Sequence, residues 1–203
     1  MSTPDKFIID VRKTARDNDI RVKFTTKTMV YAKDDIMGCT GYFDEDEMTL
    51  CVSNKNNKKT FLSNLVHESS HMDQFLHDKY LWEKCNPGYN IFFEWLEGST
   101  IVKREILEEA VQDIIRIELD AERRALKKII QYKLDSILDV DKYTRGINAY
   151  IYGYLFALET RRWTPQIYFH PEVISTCSAR LKISYNKIPQ RLHRVFLRHF
   201  SSQ

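Results

Sequence analysis

The sequence of 203 residues lacks several features that define other protein classes. No apolar run approaches the ~20 residues that a membrane-spanning helix needs, so we expect no contact with a membrane. Residues 1–10 carry charges and no signal-peptide core. Internal repeats and low-complexity linkers are also missing. With 43% hydrophobic residues the chain can form a normal core, and its length predicts a single domain over residues 1–203.

Cysteine is sparse and widely spaced, and no Cys-x-x-Cys pair occurs. The residues of this type are Cys39, Cys51, Cys85 and Cys177. This spacing favours reduced thiols and a cytoplasmic location over a disulfide framework. A disulfide between Cys39 and Cys51, facing each other across a hairpin, remains an alternative.

The most specific motif in the chain is His67-Glu68-Ser69-Ser70-His71. On a helix His67 and His71 share one face, so both imidazoles can bind one zinc ion. Glu68 points in the neighbouring direction and is placed to act as the general base that activates a water. The motif therefore predicts two zinc ligands and a catalytic carboxylate.

The flanking sequence predicts an amphipathic helix from about Thr60 to His77. Apolar residues recur around the motif at spacings of three and four, namely Phe61, Leu62, Leu65, Val66, Met72, Phe75 and Leu76. The alternative is a pair of surface or core histidines on an ordinary helix. The helical context favours the metal site, and a third ligand would favour it further.

No third histidine follows at the short metzincin spacing, because His77 comes next without the required glycine and histidine. A third ligand must therefore come from elsewhere, and the next strongly helical segment runs from near Val102 to at least Ile130. Glu118 and Glu122 fall on its apolar stripe. Carboxylates are costly to bury there unless they are paired, hydrogen-bonded or bound to metal.

We expect Glu118 to be the third zinc ligand. Glu122, one helical turn later, would accept a hydrogen bond from the ring nitrogen of His67 or His71 that does not bind metal. The alternative is that both acids form ion pairs, with partners drawn from Arg116, Arg123 and Lys127.

The histidine motif followed by Glu118-Leu119-Asp120-Ala121-Glu122 resembles the gluzincin metallopeptidases. In that family a Glu-x-x-Ala-Asp element supplies the third ligand and an acid that supports a histidine; here Glu122 stands where aspartate is commoner. The chain is also similar to small metallopeptidases encoded by bacteriophages, through His67–Phe75, Glu118–Arg124 and Asn148–Trp163. The resemblance implies a zinc metalloendopeptidase acting on a peptide or protein, in the host cytoplasm if a phage encodes it.

The expected fold is α+β, with a small, mostly antiparallel N-terminal sheet packed on a helical zincin-like core and a mainly α-helical C-terminal half. Residues 1–60 would hold a helix from Lys6 to Asp17 and then the sheet, because hydrophobicity alternates there. Residues 61–163 would carry the metal site on helices, and residues 164–203 would form a basic C-terminal segment. By resemblance to zincins, Met48–Ser53 is the candidate edge strand for aligning an extended substrate, and the alternative is a plain hairpin that stabilises the domain.

Two further segments are rich in aromatic residues. Trp82–Gly98, interrupted by Pro87 and Gly88, is expected to supply core residues beneath an irregular loop, with a lid or pocket wall as the alternative. A third long helix is predicted from about Lys142 to Arg161. Its apolar stripe is expected chiefly to form core. The alternative, by resemblance to gluzincins, is that one of its tyrosines, or His170, stabilises an oxyanion.

The charge is unevenly distributed along the chain. The net charge is +3, but residues 161–203 hold eight Lys/Arg against one acid, Glu172. Arg191, Arg194 and Arg198 recur at helical spacing, which predicts a basic amphipathic terminal helix. We expect this helix to be docked with a solvated basic face that makes at most a weak contact with nucleic acid.

Two classes of function are compatible with these features. In a zinc metallopeptidase, His67, His71 and Glu118 hold zinc and Glu68 transfers protons. The alternative is a nucleic-acid- or protein-binding factor whose zinc site is structural or vestigial. Glu68 favours the peptidase, because a structural zinc site has no use for it.

Overall fold

The computed structural model describes residues 3–31, 38–55 and 57–201. Its fold is α+β, as predicted, with a small sheet near the N-terminus and a mainly helical C-terminal half. The chain divides into two compact units, Met1–Lys79 with Ala121–Asp139, and Tyr80–Asp120 with Val140–Gln203. One long helix, α5 (Arg104–Gln131), contributes residues to both units.

The first unit contains a helix, a sheet, the motif helix and the C-terminal part of α5. Its elements before α5 are α1 (Thr3–Asp17), β1 (Arg21–Thr25), β2 (Gly41–Asp44), β3 (Thr49–Ser53) and α2 (Lys58–His77). Helix α1 forms because Phe7, Val11 and Ala15 recur every four residues and are buried together. Helix α2 is capped by the side chain of Asn57, which accepts a hydrogen bond from the backbone N–H of Thr60.

The strands of the sheet follow the order β1-β3-β2, so β3 is central. Strand β1 is parallel to β3 and β2 is antiparallel to it. The prediction that Met48–Ser53 forms an edge strand is therefore wrong. Strand β3 contains no charged residue and is buried throughout, which suits a strand with neighbours on both sides. Helix α2 packs against β2 and β3.

The second unit is almost entirely helical. Besides the N-terminal part of α5, its helices are α3 (Lys79–Cys85), α4 (Pro87–Glu97), α6 (Val140–Thr160), α7 (Pro165–Tyr168), α8 (Pro171–Thr176) and α9 (Gln190–Phe200). Helices α5, α6 and α9 confirm the three C-terminal helices that periodicity predicted. Where the prediction gave an end, the observed end differs from it by one or two residues. None of the helices in the described ranges is long and apolar enough to cross a bilayer.

The segment Trp82–Gly98 supplies core residues, as predicted, since Trp82 and Phe92 are buried. The prediction of an irregular loop is wrong, because most of the segment lies in α3 and α4. Pro87 occupies the start of α4, where its missing N–H would be unpaired in any case. Gly88 is buried, and a Cβ there would lie 2.7 Å from the carbonyl oxygen of Ala110. The two apparent breakers therefore start a helix and allow it to approach α5 closely.

Helix α6 is central to the core of the second unit, and almost all of its residues from Ile147 to Leu158 are buried. Aromatic rings pack around it in edge-to-face and tilted contacts, and they include Phe92, Tyr150, Tyr154, Trp163 and Tyr168. Helix α9 adds Leu192, Val195 and Phe196 to the same core. The terminal basic helix is therefore docked by its apolar face, as expected.

Candidate metal centre

Helix α2 carries the predicted motif, with His67, Glu68 and His71 at its first, second and fifth positions. The imidazole rings of His67 and His71 lie with centroids 4.7 Å apart and planes nearly perpendicular, at 87°. His71 is buried, and the side chain of His67 is 20% exposed. The four-residue spacing thus brings the two rings together on one face of α2.

Each of the two histidines is oriented by a hydrogen bond at Nδ1. His67 Nδ1 lies 3.0 Å from Oε1 of Glu122, and His71 Nδ1 lies 2.9 Å from Oε1 of Gln74. Carboxylate and amide oxygens accept hydrogen bonds, so each ring donates its Nδ1–H and carries its lone pair on Nε2. This is the tautomer in which a histidine binds a metal through Nε2.

A largely buried lysine, Lys128, joins the C-terminal part of α5 to α2 in the same unit. Lys128 Nζ lies 2.8 Å from Oδ2 of Asp73 and donates a hydrogen bond of 2.9 Å to Oγ of Ser69. Burial lowers the pKa of Lys128, and the charge of Asp73 opposes that shift. These contacts hold the α5 turn with Glu122 beside the motif helix.

Glu118 lies one turn before Glu122 on the same face of α5, because residues four apart share a face of a helix. It is 2% exposed. Its Oε1 accepts hydrogen bonds from the hydroxyls of Tyr89 and Tyr150, both at 2.7 Å, and of Tyr154 at 3.2 Å. These three hydroxyl donors fix the direction of the carboxylate.

The three predicted ligands are divided between the two units: His67 and His71 lie on α2 in the first unit, and Glu118 lies on the part of α5 that belongs to the second unit. Two imidazoles and a carboxylate are a common donor set of catalytic zinc sites. Arg116, offered above as an ion-pair partner for the acids of α5, contacts Asp113 instead.

Glu68 is only 9% exposed and lies against the start of β2. A Cβ added at Gly41 would lie 2.9 Å from Cγ and 3.2 Å from Oε1 of Glu68, and 3.3 Å from the carbonyl oxygen of Cys51. Any side chain at position 41 would therefore displace the candidate general base. Sequence reasoning missed Gly41, because a glycine at the start of a strand is indistinguishable from an ordinary turn residue.

The tyrosines of α6, proposed above for an oxyanion, instead contact a candidate ligand. Tyr150 and Tyr154 donate to Glu118, and their hydroxyl oxygens lie 2.6 Å apart. Burial raises the pKa of both well above the ordinary value, and the charge of Glu118 raises it further. Both therefore remain protonated donors. The other oxyanion candidate, His170, lies beside Glu172 and His199.

No protein family matches the chain, and neither the curated proteins nor the solved structures contain one that is significantly similar to it. The chemistry of the site must therefore be argued from the residues and contacts described above.

Proposed function

We propose that the protein is a zinc-dependent metallopeptidase of the gluzincin type. In this proposal His67, His71 and Glu118 hold the zinc ion and Glu68 is the general base. Two neutral imidazoles and one carboxylate suit zinc in both charge and ligand type. Bound zinc supplies Lewis acidity, which polarises a peptide carbonyl and lowers the pKa of water.

The observation that carries the proposal is the orientation of the two histidines. His67 is held at Nδ1 by Glu122 and His71 is held at Nδ1 by Gln74, at 3.0 and 2.9 Å. Oxygen acceptors on Nδ1 are the usual supports of metal-binding histidines, because they set the tautomer and the ring direction. Two such supports on one face of one helix favour a metal site over a pair of core histidines.

The tyrosine contacts of Glu118 support its role as the third ligand. Because Tyr89, Tyr150 and Tyr154 all donate to Oε1, we expect Glu118 to bind the ion through Oε2. A carboxylate held in this way has a fixed direction, so it can bind a metal without ordering a mobile side chain.

In the reaction Glu68 takes a proton from the attacking water and delivers it to the leaving amine. Glu68 lies against Gly41, which favours a location of this step near the start of β2. Strand β2 is the terminal strand of the described sheet, with β3 on one side. We propose that an extended peptide or protein substrate aligns along β2 instead of β3.

Replacing Glu68 tests this function directly. Glu68→Gln should keep the metal and lower hydrolysis of an unfolded protein by about a hundredfold or more, because the side chain moves protons without binding zinc. His71→Ala should lose the metal, and Glu83→Gln, an exposed glutamate on α3, should change neither property. Metal is measured by elemental analysis of protein prepared without chelator.

Two results would overturn the proposal. One is a wild-type protein that holds no transition metal and takes up no zinc. The other is a Glu68→Gln variant that loses as much metal as His71→Ala. If zinc binds but neither variant affects any hydrolysis, the site is structural and the alternative class, a nucleic-acid- or protein-binding factor, is favoured.

We further propose a cytoplasmic location, since all four cysteines carry thiols.

A further inference from the structure

A second group of metal-binding side chains lies in the second unit, where the start of α8 meets the end of α9. His170, Glu172 and His199 each offer one ligand atom, and these atoms lie within 4.8 Å of one another. We propose that these three residues bind a divalent transition-metal ion such as zinc. The group shares no residue with the site on α2 and α5, so the proposal does not depend on the peptidase function.

The contact between Glu172 and His199 already has nearly the spacing of two ligands on one ion. Nε2 of His199 lies 2.8 Å from Oε2 of Glu172. Two ligand atoms on a tetrahedral zinc ion, each about 2.0–2.1 Å from it, are about 3.3 Å apart. An ion can therefore replace the proton that the two groups now share after only a small movement. Arg198 orients the carboxylate by donating to its other oxygen, Oε1, at 2.6 Å.

His170 carries its available lone pair on Nδ1, where it now accepts a backbone hydrogen bond. Its Nδ1 accepts a hydrogen bond of 3.2 Å from the backbone N–H of Glu172, so that nitrogen carries a lone pair. Its ring lies on the ring of His199, with centroids 3.7 Å apart and planes at 33°. An ion bound at Nδ1 would compete with the backbone N–H for the same lone pair.

This competition, and the positive charge of Arg198 beside Glu172, both weaken the second site. We expect its dissociation constant to be at least ~10-fold higher than that of the site on α2 and α5. An ion here would tie the last turn of α9 to the start of α8, in addition to the contacts of Arg198 and His199 with Glu172 and the ring contact of His170 with His199. Its expected role is therefore to stabilise the second unit, since an ion that binds only the folded form raises the unfolding temperature.

The test uses the full chain with the first site removed. In His67→Ala/His71→Ala, calorimetric titration with zinc chloride should show one ion per chain, where the wild type binds two. Free zinc at 100 times the dissociation constant should raise the unfolding temperature of this variant by about 5–10 °C. Adding His170→Asn and His199→Gln should abolish both the binding and the thermal shift.

The substitutions separate metal binding from folding. Asparagine at position 170 keeps an acceptor for the α8 cap and removes the imidazole. His193→Asn is the matched control, because His193 contacts Glu159 at 2.7 Å and belongs to neither of the two proposed metal sites. It should leave the second ion bound.

The outcomes for the two sites are distinguishable. If His67→Ala/His71→Ala takes up no zinc while the wild type binds one ion, the site at His170, Glu172 and His199 is overturned and the site on α2 and α5 is supported. If His67→Ala/His71→Ala and the wild type each bind one ion, the second site is supported and the site on α2 and α5 is overturned. Retention of the ion after His170→Asn and His199→Gln would show that other residues hold it.

Discussion

His67 donates its Nδ1–H to Oε1 of Glu122 across 3.0 Å, and this contact links the motif helix to α5 within the first unit. It explains how an acid that is 4% exposed can lie on the apolar stripe of a helix. Glu118, one turn earlier, is stabilised in a different way, by tyrosine hydroxyls. The two acids therefore have separable roles, and substitutions can distinguish them.

Glu118→Ala should cost more zinc affinity than Glu122→Ala. Loss of a ligand removes a bond to the ion, whereas loss of the support behind His67 should weaken affinity by only ~10- to 100-fold. Competition with a chelator measures both, and Glu109→Ala, an exposed glutamate on the same helix, is the control. The reverse order would transfer the ligand role to Glu122.

Tyr150→Phe should lower zinc affinity by ~10-fold or more, because it removes one of the hydroxyls that orient Glu118. Tyr152→Phe is the matched control on the same helix. Its hydroxyl is buried and has no hydrogen-bond partner among the described residues, so its removal should leave zinc affinity unchanged. Equal effects of the two substitutions would argue against the orienting role of Tyr150.

Gly41→Ala should lower the turnover rate and leave the zinc content unchanged. The new methyl group would meet the Glu68 side chain at 2.9 Å and force it to move, while the ligand residues stay in place. Gly146→Ala on α6 is the control, since a Cβ there meets nothing within 4 Å. Full activity of Gly41→Ala on an unfolded protein substrate would contradict the placement of Glu68.

Asp73→Asn should destabilise the protein by about 1–3 kcal/mol, because it leaves the Lys128 ammonium largely buried without its carboxylate. Adding Lys128→Met should recover part of this loss, since the double variant removes the unpaired charge. Urea denaturation of the three proteins measures the difference. If the double variant is less stable than Asp73→Asn, the hydrogen bond from Lys128 to Ser69 matters more than the charge.

Replacing Arg191 and Arg194 with glutamine should change neither the unfolding temperature nor the peptidase activity. Both residues are exposed on α9, whose apolar face is packed into the core. We expect weak retention on a DNA column at low salt that disappears near physiological ionic strength. Salt-resistant binding by the wild type that the double variant loses would favour the alternative class of function. Arg198 is left intact because it contacts Glu172.

The sequence by itself determined the features that depend on neighbouring residues. Periodicity predicted α2 from about residue 60, and the helix begins at Lys58 and ends at His77 as expected. The spacing of His67 and His71 placed their rings on one face, because a helix repeats every 3.6 residues. The stripe of α5 likewise indicated that Glu118 and Glu122 would be buried, which the structure shows.

Only the tertiary structure decided which distant residues meet. Strand order placed β3 in the centre of the sheet, a position that its five residues alone do not determine. The approach of Gly41 to Glu68, the hydroxyls around Glu118, and the group of His170, Glu172 and His199 all join residues far apart in the chain. Local periodicity carries no information about such pairs, because they depend on how whole elements pack.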